Sequence, residues 1–199
     1  MSVRRRADVE SSRTSILDAA QRLFLEHGYA GTSMSEIAKA SGVTKSLIHH
    51  HFGTKDALWQ MVKRSAFAAY HARQKELLAG HPLTVETAKA SMRIYFEFLA
   101  ENPQVLRMMW WMLLGNEDDR SNELVAELGE LGVAQIRGLQ DEGLIRRDLR
   151  PESVLCGFLG LIHSAFTEDW LLTFRGVSPT AYIDEAWEMF AHGVMLDRQ

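Results

Sequence analysis

The sequence predicts an all-α protein, and three observations support this fold class. Apolar residues recur with the 3.6-residue period of an α-helix along most of the 199 residues. No long stretch alternates apolar and polar residues with the period of two that is typical of a half-buried strand. Each of the four prolines stands where one helical pattern ends and another begins, as suits a residue excluded from helix interiors. We therefore expect about nine helices, three in an N-terminal unit and about six in a C-terminal body.

The composition is that of a globular protein without disulfides. Hydrophobic residues make up 46% and charged residues 24% of the sequence, which excludes a disordered or collagen-like chain. The single cysteine, Cys156, excludes a disulfide framework and favours a reducing, cytoplasmic location. The N-terminus lacks the apolar stretch of a secretory signal, and the longest apolar run, residues 154–166, is too short to span a bilayer.

Charge is distributed unevenly along the chain. The net charge is −4, but residues 1–64 contain ten Lys and Arg against six Asp and Glu, whereas residues 65–199 contain 12 against 20. Because affinity for phosphates depends on local cations, the N-terminal third is the part expected to meet a polyanion. A chance imbalance on solvated faces is the alternative.

The first two helices follow from an apolar stripe and a cap. The stripe predicts a helix over Ser12 to His27, which Gly28 ends. Ser33 and Glu36 then form the pattern of a capping box, in which each residue binds the backbone amide of the other. A short second helix is therefore expected from Met34 to about Ala40.

A glycine turn joins this helix to a third one, which makes a helix-turn-helix. Gly42 allows the tight turn, and Thr44 is placed to cap a helix from Lys45 to about His51. A helix that enters the major groove of DNA, about 12 Å wide, must be apolar on its anchored side and polar on the other. The anchors predicted here are Ile48 and Phe52, with Ile37, Ala38 and Val43, and the groove-facing candidates are Lys45, Ser46, His49 and His50.

Longer helical patterns occupy the rest of the chain. They cover residues 58–78, 84–101, 104–114, 121–142, 152–174 and 180–196. The predicted domains are accordingly a helix-turn-helix domain over residues 1–54 and a helical body over residues 55–199.

Several short motifs occur together between residues 19 and 58. They are Ala19-Ala20-Gln21-Arg22-Leu23-Phe24, Gly28-Tyr29, Ser33 with Ile37-Ala38, Ser41-Gly42-Val43, and the run from His50 to Leu58. Together these motifs resemble the N-terminal signature of the tetracycline-repressor (TetR/AcrR) family of transcription regulators. The resemblance implies a homodimer with a divergent, all-helical, ligand-binding C-terminal domain. It also implies base or sugar contacts by Lys45, Ser46, Leu47, His49 and His50, and phosphate contacts by Ser33, Thr44, His51 and Lys55.

Two positions of the third helix depart from the family pattern. Ser46 stands where the family usually has glycine, and His49 stands where it usually has tyrosine. Because of these two differences, the operator sequence that this protein prefers cannot be inferred from the operators of its relatives.

The consecutive histidines 49–51 suggest two possible functions, a metal site or pH-dependent binding to DNA. Successive helical residues diverge by about 100°, so the three imidazoles cannot chelate one metal ion, and we predict no metal site. Because histidines take up protons near neutral pH, the hypothesis that remains is operator binding that tightens on acidification. Arg4, Arg5 and Arg6 are expected to form either a basic arm that reaches the adjacent minor groove or a solvated tail.

The helical body contains more large side chains than a scaffold requires. Aromatic residues and methionines at helical spacing are ordinarily core, and polar residues beside them can be solvated or hydrogen-bonded. The family resemblance nevertheless implies an effector site in this body, and an apolar, Met-rich lining favours a hydrophobic or aromatic small molecule. The predicted effector-binding residues are Phe67, Tyr70, His71, Arg93, Phe96, Met108, Trp111, Met112, His163, Phe166 and Trp170.

A strip of small residues in the last two helices suggests a dimer interface. Small residues at spacings of three and four allow a second helix to approach closely, and the family resemblance assigns dimerisation to these helices. A two-fold dimer would present two recognition helices to a palindrome. The predicted interface residues are Gly157, Phe158, Gly160, Leu161, Ser164, Trp187, Phe190 and Val194, and packing of the strip inside its own subunit is the alternative.

The sequence offers no support for an enzyme. It contains no glycine-rich phosphate loop, zinc-protease motif or nucleophile elbow, and its one thiol lies in an apolar helix. We therefore expect a DNA-binding transcriptional regulator without catalytic residues or cofactor, most often a repressor in this family, whose effector changes the spacing of the recognition helices. Activation by the effector stays possible, and a helical protein-interaction module that does not bind DNA is the alternative function.

Overall fold

The computed structural model describes residues 2–79, 84–114, 123–167 and 176–195. These ranges form nine helices and no strand, apart from one isolated bridge, so the predicted all-α class is confirmed. The helices are α1 (Ser2–His27), α2 (Met34–Ser41), α3 (Lys45–Phe52), α4 (Lys55–Leu78), α5 (Val85–Glu101), α6 (Pro103–Leu114), α7 (Glu123–Asp141), α8 (Pro151–Thr167) and α9 (Pro179–Val194).

Contacts group the chain into two compact units. The first unit comprises residues 1–69 and 102–125, and the second comprises residues 70–101 and 126–199. Residues 102–125 belong to the first unit because α6 packs against α1. The chain passes from one unit to the other within α4, between α5 and α6, and within α7, whereas the sequence predicts a single domain boundary after residue 54.

The core of the first unit joins the helix-turn-helix to its neighbours. The Phe24 ring of α1 lies 4.9 Å from the Trp59 ring of α4, measured between ring centroids. Ile37 of α2 and Ile48 of α3 are fully buried, as their predicted role as anchors requires. The buried apolar residues of α1 to α4 in this unit include Ile16, Ala20, Phe24, Met34, Ile37, Ile48, Phe52, Leu58, Trp59 and Val62.

Among the described residues of the first unit, two polar side chains are also buried. The Thr32 hydroxyl donates to the Gly28 carbonyl at 2.9 Å, which ties the connection after α1 to the end of that helix. Lys63 is fully buried, and its Nζ lies 5.0 Å from the centroid of the Trp59 ring, a cation–π distance. The helical periodicity of α4 gives no signal that separates this lysine from the exposed Lys75 of the same helix.

The second unit is built around α5, which packs against both α8 and α9. The antiparallel bridge between Ile145 and Met195, with the Arg146 amide donating to the Val194 carbonyl at 2.9 Å, fastens the segment after α7 to the end of α9. The buried residues of the three packed helices are Met92, Tyr95, Phe96, Phe98, Leu99, Val154, Ile162, Ala165, Ile183, Ala186, Trp187 and Phe190.

The beginning of α1 differs from the prediction. The helix starts at Ser2, ten residues before the predicted start at Ser12. The hydroxyls of Thr14 and Ser15 donate to carbonyls four residues earlier, the bond that such residues make inside a helix. Neither glycine nor proline interrupts residues 2–11, so nothing in this segment breaks the helix that begins at Ser2. The backbone of arginines 4–6 is thus helical, and an extended arm is not its conformation here.

The remaining predicted boundaries agree with the structure within a few residues, except at the end of α8. This helix is described to Thr167, and the predicted continuation to Phe174 lies outside the described residues. In the described ranges, no helix combines the length and the apolar composition that a membrane span requires.

Candidate nucleic-acid interface

The first helix of the helix-turn-helix begins with the reciprocal cap that the sequence predicts. The Glu36 amide donates to the Ser33 hydroxyl at 3.2 Å, and the Ser33 amide donates to the Glu36 carboxylate at 2.7 Å. These bonds to Ser33, with a smaller effect of nearby cations, lower the pKa of the Glu36 carboxyl. The cap therefore fixes the start of α2, and the Glu36 carboxylate in it stays anionic at neutral pH.

The turn and the start of α3 also follow the predicted chemistry. Gly42 has a φ of 71°, the left-handed conformation that glycine adopts without strain, and it ends α2. Thr44 then caps α3 by accepting from the Leu47 amide at 3.3 Å, and its hydroxyl lies 3.1 Å from that of Ser46. These contacts set the direction in which α3 leaves the turn.

Helix α3 has a buried side and an exposed polar side. Ile48 and Phe52 face the core, with exposed fractions of 0% and 6%. Leu47 and His51 are half-buried on the flanks of the helix. The exposed side carries Lys45, Ser46, His49 and His50, the four residues predicted to face a groove. Burial and exposure on α3 are thus as predicted.

The three histidines of α3 have different surroundings. His49 and His50 are exposed, and Nδ1 of His49 lies 2.6 Å from the Gly53 carbonyl oxygen. His51 is half-buried beside the Phe52 ring, and its Nε2 has no hydrogen-bond partner among the described residues. No group of three metal-ligating side chains occurs in the described part of the chain.

A cation stands at the beginning of α4, near the capped end of α2. Nζ of Lys55 lies 4.1 Å from the centroid of the Tyr29 ring. Partial burial lowers the pKa of Lys55, and the Glu36 carboxylate acts in the opposite direction. The helix-turn-helix thus has two kinds of group that suit contacts to phosphate oxygens. One is the N-termini of α2 and α3, capped by Ser33 and Thr44, and the other is the ammonium group of Lys55.

Comparisons with known proteins identify this arrangement. A family model described as "Bacterial regulatory proteins, tetR family" matches residues 16–62, and one described as "Tetracyclin repressor-like, C-terminal domain" matches residues 91–173. The chain is 30% identical over 154 residues to the HTH-type transcriptional repressor Rv1474c of Mycobacterium tuberculosis, a match covering 75% of this chain and 77% of that protein. The chain belongs to the TetR family. It is a DNA-binding transcriptional regulator, and the alternative of a helical module without DNA binding is not favoured.

Solved structures of other transcription regulators share this fold over more than nine-tenths of the chain. The regulator FadR from Bacillus subtilis, in complex with stearoyl-CoA, aligns with a TM-score of 0.74 at 20% identity, over 91% of this chain and 98% of that one. SmeT, the repressor of the Stenotrophomonas maltophilia multidrug efflux pump SmeDEF, aligns in its triclosan complex with a TM-score of 0.67 at 22% identity, over 94% of this chain and 92% of that one.

In the second unit of this TetR-family chain, several predicted effector-binding residues surround a polar network. The Tyr70 ring contacts the rings of both Tyr95 and Phe98, at centroid distances of 5.0 and 5.4 Å. The Tyr95 hydroxyl lies 3.0 Å from Nε2 of His163. Burial raises the pKa of Tyr70 to about 12, also raises the pKa of Tyr95, and lowers the pKa of His163.

The same region contains further polar groups near the start of α5. The Gln74 amide donates to the Ser91 carbonyl at 3.1 Å and accepts from the Ser91 hydroxyl at 3.0 Å. Nε2 of His71 is buried without a hydrogen-bond partner among the described residues. The rings of Phe96 and Phe166 lie 5.4 Å apart between centroids. The structure thus brings Tyr70, His71 and His163 into one aromatic and polar region of the second unit.

Of the other predicted effector-binding residues, one is exposed, two are buried in the first unit, and three have side chains outside the described part of the structure. Arg93 is exposed on α5, and its guanidinium lies 2.5 Å from the Asp184 carboxylate of α9. Phe67 and Met108 are buried in the first unit. The side chains of Trp111 and Met112, and the whole of Trp170, lie outside the described part of the structure.

The predicted dimer residues divide into buried and open ones. Trp187 and Phe190 are buried within their own unit, with exposed fractions of 4% and 7%. Gly157 and Gly160 are exposed, and a β-carbon built on either meets no atom within 4 Å. Ser164 is half-buried and hydrogen-bonded to the Tyr182 hydroxyl and the Leu161 carbonyl.

An apolar groove runs along the two open glycines. It has a volume of about 440 Å³, and its lining consists of Leu149, Ser153, Val154, Gly157, Gly160, Leu161, Phe190 and Val194. Five of these residues belong to the interface predicted from the sequence. The prediction left out Leu149 and Val154, which are not small residues, and Ser153, which lies four residues before Gly157 and extends the strip of small residues by one turn.

Proposed function

We propose that the chain is a homodimeric repressor that binds a palindromic operator and leaves it when a small apolar or aromatic effector binds. The observation that carries this proposal is the exposed polar side of α3, which a buried apolar side holds against the rest of the first unit. A short helix of this kind, preceded by a glycine turn and a capped helix, is the element that reads a major groove.

We assign separate roles to the polar residues of this interface. Lys45, Ser46 and His50 face outward and are proposed to contact bases, with Leu47 at the edge of the same surface. Ser33, Thr44 and Lys55 are proposed to contact phosphates, and His51 is proposed to join them from its half-buried position. On this proposal residues 1–54 form the DNA-binding domain, to which Lys55 adds a phosphate contact, and the remainder of residues 55–199 binds the effector and a second copy.

The open groove between α8 and α9 supports dimerisation through these helices. Gly157 and Gly160 leave room for the backbone of another helix, and no described residue of the same chain occupies this room. Met189, on the exposed surface of α9, adds a large apolar side chain with an exposed fraction of 56%. A two-fold axis through this surface would bring α8 and α9 of both copies into a four-helix contact.

The aromatic region of the second unit supports an effector with a large apolar part. Tyr70, Phe96 and Phe166 supply apolar ring surface, and the imidazoles of His71 and His163 supply hydrogen-bonding groups. The FadR and SmeT structures are complexes with stearoyl-CoA, whose acyl chain is apolar, and with triclosan, an aromatic compound. These two compounds are therefore rational first probes for this chain.

We further propose that the protein acts without catalytic residues or a cofactor, and in the cytoplasm. The relatives named above are regulators of transcription, and the operator of a bacterial regulator lies in the cytoplasm. The reducing conditions there suit the single, exposed thiol of Cys156.

Selection of bound sites from a random duplex pool tests the proposal. We expect one palindromic site, with an affinity that falls steeply as the salt concentration rises. Stearoyl-CoA, triclosan and a set of smaller aromatic compounds are then added to the complex, and release is followed by fluorescence anisotropy. Recovery of random sequences with no preferred palindrome would contradict the proposed operator recognition, and failure of every apolar compound would contradict the proposed effector class.

A further inference from the structure

His49 and Gly53 are joined by two hydrogen bonds at the end of α3. The Gly53 amide donates to the His49 carbonyl at 2.9 Å, and Nδ1 of His49 lies 2.6 Å from the Gly53 carbonyl oxygen. Gly53 has a φ of 73° and a ψ of −100°, a conformation that residues other than glycine rarely adopt. The backbone at Gly53 therefore directs its carbonyl oxygen at the imidazole.

The second of these bonds decides which ring nitrogen carries the hydrogen. A carbonyl oxygen can only accept, so the hydrogen of the neutral ring is on Nδ1. Nε2, the other nitrogen, then has a lone pair and no hydrogen, and it can only accept. The ring is exposed, so this acceptor is available to a partner.

Only some groups of DNA can donate to such an acceptor. Phosphate oxygens, the N7 and O6 of guanine and the O4 of thymine are themselves acceptors. The donors of the major groove are the exocyclic amino groups, N6 of adenine and N4 of cytosine. A neutral His49 held in this way therefore has no favourable hydrogen bond to a phosphate, to guanine or to thymine.

We propose that His49 is a specificity-determining residue that accepts a hydrogen bond from the amino group of adenine or cytosine, with its tautomer fixed by the Gly53 carbonyl. This inference rests on the proposed function, since it requires α3 to enter the major groove. It distinguishes the chain from relatives with tyrosine at this position, because a phenol hydroxyl can both donate and accept. The histidine restricts the choice of base where the tyrosine does not.

Nuclear magnetic resonance tests the tautomer without DNA. Long-range proton–nitrogen correlations of the free protein at about pH 8, above the range in which unperturbed imidazoles take up protons, separate protonated from unprotonated ring nitrogens. The His49 signals are identified by their loss in the variant His49→Gln. We expect a hydrogen on Nδ1 and none on Nε2, and a hydrogen found on Nε2 would overturn the proposal.

Site selection with the wild type, His49→Phe and His49→Gln at the same pH tests the readout. At one position in each half-site we expect the wild type to prefer adenine or cytosine on the contacted strand by about three- to tenfold, the worth of one hydrogen bond. His49→Phe keeps a ring but loses the acceptor, so this preference should disappear. His49→Gln both accepts and donates, so it should retain binding but also admit guanine or thymine.

A base analogue that lacks the exocyclic amino group supplies the matched control. It should weaken wild-type binding by the same three- to tenfold and leave His49→Phe unchanged. If sites are selected but His49→Phe keeps the wild-type base preference, the proposal fails and the proposed function stands. If no duplex is selected by any of the proteins, the proposed function fails, and the resonance experiment still decides the tautomer.

Discussion

The Tyr95 hydroxyl and Nε2 of His163 lie 3.0 Å apart and connect α5 to α8 inside the second unit. Both groups are neutral at physiological pH, because burial raises the pKa of the tyrosine and lowers that of the histidine. A hydrogen bond between two uncharged groups is stable in an apolar interior, whereas an imidazolium at this place would be penalised by its loss of hydration. The stability of the protein should therefore depend on pH through His163.

We predict that the free energy of unfolding decreases as the pH is lowered from about 7 to about 5. The unfolded chain takes up a proton on this histidine near its ordinary pKa, whereas the folded chain resists protonation until a lower pH, so acid favours unfolding. In His163→Gln this part of the pH dependence should be absent. Urea denaturation followed by circular dichroism at several pH values measures it, with His192→Gln, an exposed histidine of α9, as the control. Equal pH slopes for His163→Gln and the wild type would disprove the assignment.

Replacement of Gly31 by alanine should destabilise the first unit. A β-carbon at this position would lie 2.3 Å from the His27 carbonyl oxygen, and a backbone atom cannot move aside as a flexible side chain can. We expect a loss of about 2 kcal/mol or more in the free energy of unfolding. Gly129→Ala in α7, where a β-carbon meets no atom within 4 Å, should instead gain about 0.5–1 kcal/mol. A Gly31→Ala protein as stable as the wild type would show that the connection between α1 and α2 relaxes freely.

Lys45→Ala should weaken operator binding and make it less dependent on salt. Lys45 is exposed in the first turn of α3, on the side proposed to face DNA. If Lys45 contacts a phosphate, the slope of log affinity against log salt concentration should decrease in magnitude by about 1. If Lys45 instead binds guanine, the discrimination between bases at one position should fall by about 1–3 kcal/mol. Lys75→Ala, an exposed lysine at the end of α4, is the control and should change neither quantity. Anisotropy titrations at four salt concentrations distinguish these outcomes.

Gly160→Leu should convert the proposed dimer into monomers. The leucine fills the open groove that a second copy would enter, while it favours the helical conformation of α8 more than glycine does. Sedimentation equilibrium should give the monomer mass for this variant and the dimer mass for the wild type. Gly129→Leu, at another open glycine, should stay dimeric. A dimeric Gly160→Leu protein would place the interface on a different surface.

The parts of the fold that depend on near neighbours in the sequence could be predicted from it. Ser33 and Glu36 form the cap of α2, and Thr44 caps α3 by binding the Leu47 amide. In both caps the bonded residues are only three positions apart in the sequence, so the pattern can be recognised locally. The burial of Ile48 and Phe52 follows from their spacing of four on a helix. Both the helix-turn-helix and the exposed side of α3 could therefore be predicted from local patterns.

Contacts between distant segments could not be predicted in this way. Arg93 pairs with Asp184, which is 91 residues away, and no local pattern indicates the pairing of an arginine that was expected beside the effector. Apolar spacing likewise does not reveal whether Trp187 and Phe190 pack inside their own unit, where they are buried, or against a second copy. The bond between His49 and the Gly53 carbonyl depends on a backbone angle that residue types alone do not specify.

The contact between Lys55 and the Tyr29 ring has a consequence for the thermodynamics of association. A fully solvated lysine loses up to about 2 kcal/mol of rotamer freedom when it is immobilised by an anion. The Lys55 ammonium is already held against an aromatic face and has already shed part of its hydration, so much of this loss occurs when the chain folds and not when it meets an oxyanion. Calorimetry should accordingly find a smaller unfavourable conformational entropy for this cation than for the freely rotating lysines of the same molecule.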